Sequence, residues 1–231
     1  MGQDILFEFI GTAVLILFGA GVCANVSLKK SFGHASGWIV ISFGWALAVF
    51  VAAYIAAPFS GAHLNPAVTI GLALTGKFHG SILGYIVAQM LGAMLGAFIV
   101  YLMYRPQFNA EEDGPTKRGV FCTSPAIKDT FSNVFSEVVG TFILVFGILM
   151  VAGAQIAGPL PVSLLIAAIG MSLGGTTGYA INPARDLGPR IVHALLPLKN
   201  KADGGWGYAW VPVVGPVIGA ALAAWLYISI M

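Results

Sequence analysis

The tripeptide Asn-Pro-Ala occurs twice in this chain, at residues 65–67 and 182–184, each time inside an apolar, glycine-rich half. Asparagine is a favoured N-cap because its side-chain oxygen accepts an unpaired backbone N–H. Proline fits the first helical position, since its missing N–H would have no partner there. The apolar runs that follow end near Lys77 and Leu196 and are roughly 10–14 residues long, too short to cross a bilayer. Each copy therefore predicts a short re-entrant helix.

The composition indicates that the rest of the chain spans a membrane. Hydrophobic residues make up 58% of it and charged residues 9%, against about 25% charged residues in soluble domains. Six apolar segments are long enough to cross the hydrocarbon core as helices. They are residues 4–26, 37–58, 80–104, 130–153, 158–178 and 206–230. Runs this long are not barrel strands, so the sequence predicts an all-α, multi-pass integral membrane protein.

The polar residues exclude several function classes. The net charge of +2 is too small to indicate nucleic-acid binding. Cys23 and Cys122 match no disulfide or metal-binding framework. No set of a nucleophile and a base, and no metal-ligand spacing, is present. We therefore expect no catalytic residues, no metal and no cofactor.

The chain is internally duplicated. Three blocks recur in the same order, at offsets of 129, 117 and 123 positions. They are the Glu8, Gly11, Thr12 and Leu15 set repeated as Glu137, Gly140, Thr141 and Leu144, the two Asn-Pro-Ala segments, and Gly92 and Gly96 repeated as Gly215 and Gly219. Each half contains three spans, an odd number, so the second half enters the membrane from the opposite side. The second repeat is therefore inverted relative to the first. We expect one channel domain, 1–231, made of a first repeat (1–104), a solvated polar linker loop (105–129) and a second repeat (130–231).

Inversion makes the two short helices enter from opposite faces, so that their N-termini meet at mid-membrane. Two positive helix-dipole ends then converge and repel cations and protons. The amides of Asn65 and Asn182 can donate hydrogen bonds to a neutral oxygen. This chemistry favours a pore for uncharged solutes. The glycine pairs of the third and sixth spans predict close helix packing.

The residues that carry these features resemble the major intrinsic protein family, which contains the aquaporins and the glycerol facilitators. The resemblance covers all six spans and both half-helices. It rests on Glu8, residues 60–69, Glu137 and residues 178–186. It implies a homotetramer in which each subunit holds its own pore, in the plasma (cell inner) membrane.

The resemblance also implies a selectivity filter in which an aromatic clamp surrounds one arginine. Arg185 takes the arginine's place, Trp45 and Tyr179 the aromatic walls, and Gly170 the fifth-span position, where water-only members carry histidine. A buried arginine is costly and indicates function, although it could also snorkel to the interface. Aromatic walls opposite a donor fork suit a polyol, which has a CH face and an OH face.

Four further residues have candidate roles. Asp186, directly after the arginine, resembles the glycerol-facilitator subclass, as do Arg190 and the pair Pro212-Val213. Asp186 could form an orienting ion pair with Arg185, cap the helix, or do both. In the family, acids such as Glu8 and Glu137 accept hydrogen bonds from the backbone ahead of each half-helix; proton coupling is the alternative. His63 is expected to line the cytoplasmic vestibule, with pH sensing as the alternative.

The sequence therefore predicts a passive channel for glycerol and other small uncharged solutes, with water, that excludes protons and ions. A water-selective aquaporin is one alternative. A secondary transporter is another, because such proteins also use inverted repeats with broken helices. The family places the N-terminus in the cytoplasm. Counting lysines and arginines in the loops predicts the reverse, since Lys77 alone would then lie inside.

Overall fold

The computed structural model describes residues 2–151 and 158–231, and the fold in these ranges is all-helical. The first half contains α1 (Gln3–Ser27), α2 (Trp38–Ser60), α3 (Pro66–Leu74) and α4 (Ile82–Met103). Two short helices follow, α5 (Arg105–Ala110) and α6 (Gly114–Phe121). The second half contains α7 (Thr130–Val151), α8 (Leu160–Leu173), α9 (Pro183–Leu195) and α10 (Val211–Ile230).

Five of the described helices, α1, α2, α4, α7 and α10, are long and apolar enough to cross a membrane, at 20–25 residues each. The helix in the place of the fifth span, α8, has 14 residues. The prediction of a span over 158–178 was too long, because the chain turns after Leu173 at Gly174 and Gly175. Residues 152 and 153 of the predicted fourth span lie outside the described residues.

The two halves pack in the same way and interlock. In the first half α1 packs against α2 and α4, and in the second half α7 packs against α8 and α10. The short helices cross over: α3 packs mainly against α10, and α9 mainly against α4. Each half-helix is thus seated on the glycine-containing helix of the opposite half.

The glycine pairs allow this close packing. A Cβ atom on Gly96 would lie closer to the carbonyl oxygen of Ala13 in α1 than van der Waals contact permits. Gly219 has the same relation to the carbonyl oxygen of Val138 in α7. Small residues at such contacts let helix backbones approach, which is how helices associate in lipid.

The prediction of a solvated linker over 105–129 was wrong. This segment forms α5 and α6, and the rings of Phe108 and Phe121 are fully buried and stacked with centroids 5.4 Å apart. Glu111 is also buried, and its carboxylate lies 3.3 Å from the ammonium of Lys29. Burial acts to raise the pKa of Glu111, but backbone N–H groups and Lys29 outweigh it and hold the pKa below its usual range. The segment covers one end of the helix bundle.

Some of the basic residues at this end of the bundle have local partners. The ammonium of Lys201 donates to the carbonyls of Ala194 and Leu196, at the C-terminus of α9, where the helix dipole favours a positive charge. Arg118 lies 3.3 Å from the carboxylate of Asp203. These contacts give Lys201 and Arg118 structural roles that the loop charge count does not consider. The cytoplasmic N-terminus stays a prediction.

The glycine contacts predict a matched pair of stability effects. Gly96→Ala should destabilise the protein by about 1–3 kcal/mol, because the added methyl overpacks the α1–α4 contact. Gly21→Ala in α1 is the control, since its Cβ would meet nothing within 4 Å. Thermal unfolding in detergent measures both. Equal melting temperatures for the two variants would contradict the close packing.

Candidate functional site

The N-termini of the two half-helices meet and are joined by hydrogen bonds. The side-chain oxygen of Asn65 accepts from the N–H of Ala67 at 2.9 Å, and that of Asn182 accepts from the N–H of Ala184 at 3.0 Å. The amide groups point across the repeat. The Asn65 amide donates to the carbonyl of Ile181 and the Asn182 amide to the carbonyl of Leu64, each at 2.8 Å. Each asparagine thus caps its own half-helix and donates a hydrogen bond to the loop that precedes the other half-helix.

The loops before the half-helices share one unusual backbone. Three positions in each loop have positive φ angles, and two of the three are not glycine. They are Gly61, Ala62 and Leu64 at 79°, 53° and 51°, and Gly178, Tyr179 and Ile181 at 79°, 38° and 43°. Such conformations cost free energy at non-glycine residues and persist where surrounding contacts impose them. The contacts that impose them come from two buried acids.

In the first half, the acid is Glu8. Its carboxylate accepts from the N–H groups of His63 and Leu64 at 2.8 and 2.7 Å. It also accepts from the hydroxyl of Ser60 at 2.8 Å and the amide of Gln89 at 2.7 Å. The side chain is fully buried and lines neither of the cavities described below.

In the second half, Glu137 repeats this arrangement. Its carboxylate accepts from the N–H groups of Ala180 and Ile181 at 2.9 and 2.8 Å, and from the hydroxyl of Thr177 at 2.8 Å. These donors lie 117 positions after Ser60, His63 and Leu64, the offset of the Asn-Pro-Ala repeat. Both acids therefore hold the loop that precedes a half-helix.

A cavity of about 360 Å³ runs past both asparagines. Its walls are mostly apolar side chains of α1, α2, α7 and α8, and the two irregular loops supply the polar atoms. Within the described chain, no hydrogen bond uses the carbonyls of Gly61, Ala62 or His63. These oxygens are therefore available to a molecule in the cavity.

A second cavity, of about 340 Å³, lies beside α6. It shares three lining residues with the larger one, namely Trp45, Tyr179 and Arg185. The two cavities therefore meet at these three side chains. Cys122 also lines the second cavity, and burial raises the pKa of its thiol to about 12, so it stays protonated at neutral pH.

The guanidinium at this junction stacks on one of the aromatic rings. The Cζ atom of Arg185 lies 4.1 Å from the ring centroid of Trp45, a cation–π contact. Arg185 also donates a long hydrogen bond of 3.5 Å to the carbonyl of Phe121. In this structure Trp45 therefore contacts the guanidinium directly, whereas the sequence interpretation placed its ring opposite the arginine.

Gly170 lies behind Tyr179 and lines neither cavity. A Cβ atom on Gly170 would lie 2.8 Å from Cζ of Tyr179, so the glycine makes room for the ring and not directly for the solute. The carbonyl of Gly170 accepts from the indole N–H of Trp38 at 2.9 Å. Trp38 also packs edge-on against Tyr179, with ring centroids 5.8 Å apart. Trp38 is the first residue of α2, and a tryptophan at the end of a membrane helix is usually interfacial, so the sequence carried no signal for its contact with the site.

One interpretation of the sequence paired Asp186 with Arg185. In the described part of the chain, Asp186 pairs with a different arginine. Its carboxylate pairs with Arg190, one helical turn later, at 2.7 Å. It also accepts from the backbone N–H and the hydroxyl of Thr123, at 2.8 and 2.7 Å. Neighbouring helical residues point in different directions, whereas residues four apart share a face. The role of Thr123 had no signal in the sequence.

His63 lines the larger cavity. Its Nδ1 atom lies 3.1 Å from the hydroxyl of Thr69, and its ring is 4.7 Å from Phe78 and 5.0 Å from Tyr85. Residues 2–151 and 158–231 contain no cluster of three or more histidine, cysteine or acidic side chains that could hold a metal ion.

The acid–loop contacts predict that Glu137→Gln lowers stability. The amide nitrogen that replaces one oxygen cannot accept a hydrogen bond, and each buried donor left unpaired costs about 1–3 kcal/mol. Glu112→Gln, at an exposed acid, is the control. Thermal unfolding in detergent would show a lower melting temperature for Glu137→Gln alone. Unchanged stability of that variant would argue against the structural role.

Comparison with known proteins agrees with this geometry. The sequence profile of the major intrinsic protein family matches residues 1–227. The glycerol uptake facilitator protein of Bacillus subtilis (strain 168) is 57% identical over 224 residues, which cover 95% of this chain and 82% of that protein. The glycerol uptake facilitator protein of Streptococcus pneumoniae (strain R6) is 54% identical, with 98% and 99% covered.

A solved structure gives the same result for the fold. The X-ray structure of the aquaglyceroporin from Plasmodium falciparum superposes with a TM-score of 0.87 at 34% identity, covering 99% of this chain and 96% of that one. The prediction of an all-α membrane fold with six spans and two re-entrant half-helices is thereby confirmed. This chain is an integral membrane protein and belongs to the major intrinsic protein family.

Proposed function

We propose that this chain is a passive channel for glycerol and other small uncharged solutes, with water, in the plasma membrane. The observation that carries the proposal is the meeting of two cavities at Trp45, Tyr179 and Arg185. Relatives that share more than half of their residues with this chain are named glycerol uptake facilitators, and a solved structure that superposes on nearly all of it is an aquaglyceroporin.

The charges along the path favour uncharged solutes. Two helix N-termini, at Asn65 and Asn182, present positive dipole ends to the larger cavity, and Arg185 adds a full positive charge at the junction. Among the described residues, no aspartate or glutamate lines either cavity. A cation or a hydronium ion therefore loses its hydration shell without gaining a compensating negative charge. Protons and cations are excluded for this reason.

The arrangement of polar atoms suits a polyol. Carbonyls of the irregular loops and the asparagine amides offer acceptors and donors to the cavity, and most of its other lining residues are apolar. At the junction, the hydroxyls of glycerol can accept from Arg185 while its CH groups contact Tyr179. Under this proposal Trp45, Tyr179 and Arg185 form the selectivity filter, Gly170 sets the position of Tyr179, and His63 lines the cytoplasmic vestibule.

The same contacts weigh against the two alternatives. A water-selective pore needs a narrower, more polar filter, and at residue 170 this chain has glycine where water-only members carry histidine. A proton-coupled transporter needs a carboxyl group in contact with the path. Glu8 and Glu137 are fully buried and occupied by protein donors.

The remaining expectations form part of the proposal. One channel domain, 1–231, contains two repeats joined by the helical segment α5–α6, and four copies assemble into a homotetramer with one pore each. The N-terminus lies in the cytoplasm. Members of the family are transporters and channels, and we propose no enzymatic activity, cofactor or nucleic-acid partner for this chain.

Flux measurements on proteoliposomes test the channel. Stopped-flow light scattering should show rapid glycerol and water movement that is unchanged by a protonophore, because the path contains no titrating carboxylate. Empty liposomes are the control. Glycerol flux that collapses when the proton gradient is removed would establish a coupled transporter instead, and water flux without glycerol flux would establish a water channel.

The filter assignment predicts a change in selectivity for a double substitution. Gly170→His alone collides with Tyr179, whereas Tyr179→Thr removes the ring and leaves space for the imidazole. The double variant should conduct water but lose about tenfold or more in glycerol permeability, because the filter becomes narrower and more polar.

The matched control for this variant is Gly175→His. A Cβ atom at this exposed glycine meets nothing within 4 Å, and Gly175 lines neither cavity, so the substitution adds a histidine near the same helix end without changing the junction. Its glycerol-to-water permeability ratio should equal that of the unmodified protein. Unchanged glycerol permeability in the double variant would contradict the filter assignment.

A further inference from the structure

Thr123, Asp186 and Arg190 form a buried cluster beside the junction of the two cavities. We propose that this cluster, the Thr123 clamp, positions the guanidinium of Arg185 and so helps to set which solutes pass. The inference rests on the proposed function, since it concerns the selectivity of the same pore. Asp186 and Arg190 line neither cavity and are positioning residues that act through the segment 121–123, and Thr123, which also lines the second cavity, belongs to that segment.

Every polar atom of Thr123 forms a hydrogen bond with another member of the clamp. The backbone N–H and the hydroxyl both donate to one carboxylate oxygen of Asp186, at 2.8 and 2.7 Å. The carbonyl accepts from the guanidinium of Arg190 at 2.9 Å. Asp186 and Arg190 are fully buried and paired with each other. Charged partners in such surroundings make short, directional hydrogen bonds, so Thr123 has one defined position.

The position of Thr123 sets the position of the backbone carbonyl that accepts a hydrogen bond from Arg185. Phe121 precedes Thr123 by two residues, and its carbonyl accepts from the Arg185 guanidinium. Within the described chain this is the one hydrogen bond of that guanidinium, whose other contact is the stack on Trp45. At 3.5 Å the bond is near the limit of hydrogen-bond geometry. A small outward shift of segment 121–123 therefore breaks it.

The clamp and the residue that it positions belong to the same half-helix. Arg185, Asp186 and Arg190 all lie in α9, whose first turn is fixed by the Asn182 cap. From this helix Asp186 holds Thr123, and Arg185 donates to the carbonyl of Phe121. One helix therefore supplies both the guanidinium and the carboxylate that holds the segment carrying its acceptor.

A purely structural role is the competing explanation. Arg190 also donates to the carbonyls of Gly204 and Gly205, so the ion pair could serve only to fasten the loops around α9. In that case weakening the clamp would lower the amount or stability of the protein but leave selectivity unchanged. A selectivity measurement therefore separates the two roles.

The test compares Thr123→Val with Thr123→Ser in proteoliposomes. Valine keeps the shape of the side chain and the ion pair but loses the hydroxyl donor to Asp186, whereas serine keeps that donor. We expect Thr123→Val to change the permeability ratio of glycerol to water, and that of a five-carbon polyol to glycerol, by about twofold or more, as residues acting through a neighbour usually do. Thr123→Ser should retain the unmodified ratios.

Thr130→Val controls for the exchange itself, because Thr130 is exposed at the start of α7. Asp186→Asn should shift the ratios in the same direction as Thr123→Val; if it does not fold, the valine and serine variants still decide. Ratios equal to the unmodified protein in Thr123→Val, or equal changes in Thr123→Val and Thr123→Ser, would overturn the clamp. Failure of the unmodified protein to conduct glycerol would instead overturn the proposed function.

Discussion

Two buried carboxylates make the rest of this structure possible. Irregular backbone in a membrane is tolerated only when its N–H and C=O groups find partners or line a watery cavity. Glu8 and Glu137 accept the N–H groups of the loops that precede the half-helices, and within the described chain the carbonyls of Gly61, Ala62 and His63 remain free for a solute. The positive φ angles, the meeting of the asparagines and the polar side of the larger cavity all depend on these two acceptors.

The junction at Arg185 shows how few contacts define a filter. The guanidinium rests on the ring of Trp45 and reaches one carbonyl, and Tyr179 completes the wall with support from Gly170 and Trp38. The position of Tyr179 on the path thus depends in part on Gly170, which lines neither cavity. Selectivity in such a site depends on the supporting contacts as much as on the lining side chains.

Local chemistry and repetition made much of this fold predictable. Asn-Pro starts a helix for local reasons, and the repeat identifies the matched acids and glycines, so both half-helices and the roles of the glycine pairs follow from sequence. The partner of Asp186, the burial of α5–α6 and the position of Gly170 behind Tyr179 depend on contacts between segments far apart in the chain. The charged residues of the linker predict that it is solvated, and only the structure shows that Phe108 and Phe121 stack.

The crossed seating of the half-helices has a consequence for biosynthesis. The first half-helix, α3, begins at Pro66, but its main neighbour, α10, begins only at Val211. The nascent chain must therefore keep α3 and its polar loop in a provisional place, against water, lipid headgroups or the insertion machinery, until α10 has been made. Assembly of the conducting path is for this reason a late, post-insertional event.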